Sequence, residues 1–206
     1  MIKHTWLLFL GVTVNIMHAT QHELVDVASI IPDVKLDIRY ATTNNFTSKQ
    51  VYPTIAAQHC FLQKPAAIAL AQVQKELAQH GLGLKIFDAY RPHRVQFIFW
   101  DLVPDERYVA DPKKGSRHNR GCAVDLTLVK FDGTELAMPT EFDDFTEKAL
   151  ATYTGQNKEI AANLALLQNV MTKYGFNVFS TEWWHFDYKG WEKYPVLDIS
   201  FEELLR

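Results

Sequence analysis

Apolar and polar positions alternate along Val34-Lys35-Leu36-Asp37-Ile38-Arg39-Tyr40, the period of a half-buried strand. A polar loop follows at 41–46, and then the period changes. From Pro65 onward Leu70, Val73 and Leu77 share one helical face, Gln72, Lys75 and Gln79 lie on others, and Gly81 closes the segment. A strand is expected at 84–88, then a turn at 89–92, then a second helix with Val95, Ile98, Phe99 and Leu102 as its core stripe. Residues 104–115 read as loop, and 122–129 as the next strand. Phe131-Asp132-Gly133-Thr134 predicts a hairpin turn into 135–138, and the acidic stretch 141–147 an ordered loop. A third helix covers 159–174, with Ile160, Leu164, Leu167 and Met171 on one face and Gly175 as its stop. The segments 176–179 and 184–188 read as the last strands. Helices and strands mix without a βαβ rhythm. The expected fold is therefore a compact single α+β domain, a mainly antiparallel sheet flanked by helices.

The first residues stand outside this pattern. Lys3 and His4 precede an apolar run from Trp6 to Ile16, too short to span a bilayer comfortably, and Ala19 supplies a small residue for cleavage. Residues 1–19 are expected to be a signal peptide and 20–206 the folded domain, exported and periplasmic; an uncleaved anchor is the alternative. Past the leader no segment suits a stable membrane association. The net charge is -3, with acids and bases interspersed and no basic stripe, so nucleic acid has no electrostatic support as a partner. Cys60 and Cys122 leave three readings open: a disulfide, two buried thiols, or Cys122 as a metal ligand.

Two clusters carry chemistry. One is Gly115-Ser116-Arg117-His118-Asn119-Arg120-Gly121-Cys122-Ala123-Val124-Asp125, and the other is Thr181-Glu182-Trp183-Trp184-His185. A catalytic zinc site keeps three protein ligands and one position for water, and His118, Asp125 and His185 would make such a set. Asp125 shares a strand face with Ala123 and Thr127, opposite Val124, Leu126 and Leu128. His118 lies an odd number of positions earlier, so it is expected to leave from a turn, with Gly115 and Gly121 as its hinges. Glu182 and His185 are three apart and would point to opposite faces of a regular strand. A bulge or tight turn is expected between them. Glu182 would then sit beside the ion and pass a proton from water to a leaving amine. Arg91, in Asp88-Ala89-Tyr90-Arg91-Pro92, reads either as a salt-bridge partner of Asp88 or as the cation that stabilises an oxyanion.

The stretch from Ser116 to Thr127 resembles the Ser-x-His-x-x-Gly-x-Ala-x-Asp signature of the zinc D-Ala-D-Ala peptidases. Glu182-Trp183-Trp184-His185 is similar to the Glu-x-x-His that completes their site, and Asp88 to Pro92 to their Asp-Gly-Tyr-Arg-Pro turn. Arg39-Tyr40-Ala41-Thr42, followed by Asn44-Asn45-Phe46, and the pair Phe142-Asp143 resemble the dipeptidase branch more narrowly. The resemblance implies one zinc on His118, Asp125 and His185, Glu182 as general base and acid, and Arg91 as transition-state stabiliser. It implies D-Ala-D-Ala as substrate, with Tyr40, Ser116 and Asp143 in its pocket, Asp143 toward the ammonium and Ser116 toward the carboxylate. Cys122 departs from the serine of that branch. The rival readings are a D,D-carboxypeptidase acting on peptidoglycan stem peptides, which needs an open groove, and a non-catalytic zinc-stabilised binding domain of the hedgehog type.

Overall fold

The computed structural model describes residues 23–206, so the leader expected at 1–19 lies outside the described residues. Among the described residues, no helix is long and apolar enough to cross a membrane. The chain folds in the order β1 Leu24–Asp26, β2 Lys35–Leu36, β3 Phe61–Gln63, α1 Lys64–Ala78, β4 Leu82–Asp88 and α2 His93–Leu102. It continues with β5 Ala123–Lys130, α3 Lys158–Lys173, β6 Phe176–Val178, β7 His185–Tyr188 and the short α4 Phe201–Leu204. A five-stranded sheet in the order β2-β4-β5-β7-β6 forms the centre, antiparallel except where β2 runs parallel to β4. A separate ribbon pairs β1 with β3. The fold is α+β, as expected.

Alternation explains how the sheet is buried. In the register Leu84 lies opposite Leu128, Ile86 opposite Leu126, and Val124 opposite Phe186, all fully buried. That apolar face is covered by α1 and α3, whose Leu70, Val73, Leu77, Leu164, Leu167 and Met171 join the same core. The opposite face carries Asp125 and Thr127, which are also buried. The side chains of β5 are therefore enclosed on both sides, and the face holding an ionisable row must satisfy it internally.

The structure departs from expectation in three places. The first strand is only Lys35–Leu36. After Asp37, whose N–H donates to the Ile86 carbonyl, the chain turns into a 3-10 segment, Arg39–Ala41. There the Tyr40 carbonyl accepts the N–H groups of Val51 and Tyr52, and the loop partner replaces the sheet partner. The turn at 131–134 forms around Gly133, at φ 90°, but its second arm makes only a single bridge, Val129 to Glu135. The core stripe of α2 is rotated: Val95, Gln96 and Phe99 are buried while Ile98 and Leu102 are 46% and 51% exposed. The cause is Gln96, which turns inward because its amide is held by the buried Arg91 and by the half-buried Ala110 carbonyl, as described below. Cys60 and Cys122 are both free and buried, so no disulfide joins them.

Candidate active site

A row of ionisable side chains crosses the sheet. Asp125 on β5 is paired in register with His185 on β7, and with Asp88 at the end of β4. The second pairing depends on an irregularity between Ile86 and Asp88. Without it Asp88 would lie opposite Val124 and point into the apolar face. One extra residue turns it to the Asp125 side.

His118 arrives from outside the sheet, on a 3-10 turn spanning His118–Arg120 that closes on Gly121 at φ 66°. That left-handed conformation favours glycine, and a Cβ there would collide with the side chain of Leu24. Ser116 and Asn119 brace the turn: the Ser116 N–H donates to Asn119 Oδ1 at 2.7 Å, and the Asn119 N–H donates to Ser116 Oγ at 3.1 Å. Asn119 Nδ2 then donates to the Arg91 carbonyl. Between Glu182 and His185 the chain makes a tight turn, with the His185 N–H donating to the Glu182 carbonyl at 3.3 Å. Both expected irregularities, at His118 and before His185, are present.

One donor atom each from His118, Asp125 and His185 lies within 4.8 Å of the others. His118 Nε2 is 3.2 Å from His185 Nδ1 and 3.4 Å from an Asp125 oxygen, and His185 Nδ1 is 2.9 Å from the other Asp125 oxygen. The remaining ring nitrogens are occupied. His118 Nδ1 is 2.6 Å from the Ala89 carbonyl, which calls for a proton there, and His185 Nε2 is 3.0 Å from Asp187. The two imidazoles thus turn their other nitrogens toward one carboxylate, and once deprotonated there they make a donor set that fits a divalent ion. Cys122 is outside this set; its thiol contacts the Arg120 carbonyl, and burial pushes its pKa up to about 12.

The carboxylate of Glu182 is 3.8 Å from His185 Nδ1. Burial pushes its pKa up to about 8; His185 opposes this, while Asp125 and Asp143 reinforce it. Arg91 is buried and fixed. Its Nε and Nη2 donate to one Asp88 oxygen at 3.2 and 2.8 Å, Nη1 donates to Gln96 Oε1 at 3.0 Å, and the guanidinium lies over Phe99. Asp88 in turn accepts the Tyr52 hydroxyl. Both sequence readings of Arg91 therefore describe the same side chain, which is paired with Asp88 and also faces the cavity.

The opposite wall is made of loops. Asp143, at φ 64°, accepts the Tyr40 hydroxyl and the Phe46 N–H, both at 3.0 Å. Burial pushes its carboxyl up to about 7 despite those donors. Tyr40, Arg91, Ser116, His118, Asp125, Asp143, Glu182 and His185 all line a single cavity of about 70 Å³.

Residues 20–201 match the peptidase M15 family, described as D-Ala-D-Ala dipeptidase. The chain belongs to the D-Ala-D-Ala dipeptidase family. A D-alanyl-D-alanine dipeptidase of Escherichia coli is 40% identical over 179 residues, 87% of this chain and 91% of that protein. One from Enterococcus faecalis is 32% identical over 187 residues, covering 82% and 92%. The solved LdcB LD-carboxypeptidase matches 64% of this chain and 62% of its own at 22% identity and a TM-score of 0.42, a likeness too slight to carry weight.

For this member of the D-Ala-D-Ala dipeptidase family, sequence reasoning missed several residues around the cavity. Gln96 reads as surface on a helix, yet it is fully buried and its Nε2 donates to the Ala110 carbonyl while Oε1 holds Arg91. Asp187 could have been found, because it lies two positions after His185 on a strand and so shares its face. Tyr108, Phe145 and Phe179 close the cavity from separate loops and left no periodic signal.

Proposed function

We propose that this chain is a zinc-dependent dipeptidase that hydrolyses D-Ala-D-Ala to D-alanine. The observation that carries the reading is the enclosure of the donor triad, Glu182, Arg91 and Asp143 in one small cavity walled by aromatic rings. A dipeptide is short enough to be surrounded there, whereas a stem peptide would need an open groove. The presence of Glu182 and Arg91 beside the triad argues against a purely structural metal.

His118, Asp125 and His185 would hold the ion. When bound, zinc supplies Lewis acidity and makes water a nucleophile near neutral pH. Glu182, in its ionised form, takes a proton from the attacking water and returns it to the leaving amine; the burial that raises its pKa in the metal-free protein makes it the stronger base. Arg91, immobilised by Asp88 and Gln96, presents its cation to the oxyanion that develops on the scissile carbonyl oxygen. Asp143 would meet the substrate ammonium, whose charge would draw the carboxyl into its ionised form. Ser116 Oγ already accepts from the Asn119 N–H and keeps its own hydrogen for the substrate carboxylate. An assay of the zinc-loaded protein on free D-Ala-D-Ala and on a stem pentapeptide tests the reading. Turnover of the dipeptide is expected; release of D-alanine from the pentapeptide alone would replace it with a D,D-carboxypeptidase.

The leader-like residues 1–19 support export to the periplasm. An exported dipeptidase would meet dipeptide freed by wall turnover, which favours salvage as its role. Cell fractionation checks this: protein found in the cytoplasm with residues 1–19 retained would overturn it.

A further inference from the structure

We propose that Asp187 is a positioning residue of the metal centre, clasping the two chain segments that bring its histidines together. The inference rests on the reading of His118, Asp125 and His185 as metal ligands. His185 and Asp187 are two apart on β7, so their side chains leave the same face, and both are buried. One Asp187 oxygen lies 3.0 Å from His185 Nε2, the nitrogen turned away from the donor cluster. Across the ladder Asp187 faces Ala123, which is too small to compete for the space.

The other carboxylate oxygen reaches a different segment. It lies 3.6 Å from Arg117 Nε, in the residue immediately before His118. That guanidinium also lies over the Trp191 ring, 4.7 Å from its centre. The Arg117 carbonyl accepts the Cys122 N–H, tying the same residue to the chain just before β5. Asp187 therefore joins the turn that carries His118 to the strand that carries His185.

The two histidines are oriented by unlike partners. The far nitrogen of His118 bonds a neutral carbonyl, that of Ala89, with an Asp88 oxygen beyond bonding range at 3.7 Å, whereas that of His185 bonds a carboxylate directly. A carboxylate fixes the tautomer with the proton on Nε2 and makes Nδ1 the more basic donor. Partners of this kind typically contribute 10- to 100-fold in metal affinity, roughly. Asp187 touches neither substrate nor reacting atoms, so its effect should appear first in metal binding.

The test is a zinc titration of metal-stripped wild type, Asp187→Ala and Asp187→Asn against a competing chelator, alongside thermal melts of the metal-free proteins. Asp187→Ala is expected to bind zinc about 10- to 100-fold more weakly, with Asp187→Asn between it and wild type because it keeps an acceptor oxygen but no charge. Folded variants that bind zinc within about threefold of a tightly binding wild type would overturn the role of Asp187 and leave the metal centre standing. A wild type that binds no zinc would overturn both. Should the variants fail to fold, imidazole nitrogen chemical shifts of the zinc-loaded wild type decide. A proton on His185 Nε2 is expected, and one on Nδ1 would sink the proposal.

Discussion

On one wall of the cavity Asp125 and His185 stand opposite each other in the β5–β7 ladder, with Asp88 continuing their row onto β4. On the other wall Tyr40, Phe46 and Asp143 meet from loops about a hundred positions apart in sequence. The first wall takes its geometry from sheet hydrogen bonds, which fix which side chains share a face before any side-chain contact forms. The second depends on side-chain contacts and on a residue at positive φ, Asp143. A metal needs its donors at fixed positions, which a sheet supplies. A substrate pocket needs a shape that can change, and loops change without disturbing the core.

Substitutions on the sheet wall should have the largest effects. Glu182→Ala should lower turnover by about 100- to 10,000-fold while keeping its zinc, measured by steady-state kinetics with metal analysis on the same sample. Zinc lost along with activity would move Glu182 from proton transfer into the ligand set. Arg91→Ala should cut kcat by about 100- to 1000-fold. Because it strands the buried Asp88 carboxylate, it should also cost about 3–5 kcal/mol in denaturant unfolding. A variant as stable as wild type would mean that the Asp88 pair does not anchor this wall.

Two pH experiments separate the walls further. Burial works against a charge on His185, yet Asp187 and Asp125 hold its pKa in the metal-free protein well above the ordinary histidine range. Zinc must then displace a proton, so affinity should fall as pH falls, and calorimetry in buffers of different ionisation enthalpy should detect proton release. No release near neutrality would show His185 already bare. On the loop wall, Asp143 titrates near 7 in the fold, against about 3.9 in an unfolded chain. A raised carboxyl pKa favours the folded state below the unfolded value, and that contribution is lost as pH rises through the folded one. Melts of the metal-free proteins should therefore show Asp143→Asn gaining on wild type between about pH 4 and 7. Parallel curves would refute the buried acid. The smallest effect is expected at Cys122, which lies near the metal wall but outside its chemistry: Cys122→Ser should keep full zinc content and lose about 1 kcal/mol or less.

How much was legible in the sequence follows the same division. The odd step from His118 to Asp125 demanded a turn, and the three-residue step from Glu182 to His185 demanded another, because strand side chains alternate. The helices found at 64–78 and 158–173 followed from apolar spacing, with Pro65, Gly81 and Gly175 marking their limits. The loop wall came only from resemblance, since no period relates Tyr40 to Asp143. Gln96 was hidden for a related reason. A glutamine on a helix reads as solvent-facing, and its inward turn depends on Arg91 and Ala110, which only the folded chain places beside it. The same displacement exposed Ile98 and Leu102, whose spacing had promised burial.

The irregularity in β4 has an arithmetic consequence. Counting along a strand is a matter of odd and even, and the extra residue near Phe87 changes the parity of everything that follows it. Pairing β4 straight through at unchanged length, with no extra residue taken up there, would leave Leu84 and Ile86 in their places and deliver Asp88 to the helix-covered side. The protein would keep its apolar core and strand the Arg91 guanidinium without its anchor. A slip of one in register, invisible to hydropathy, would separate being folded from being an enzyme.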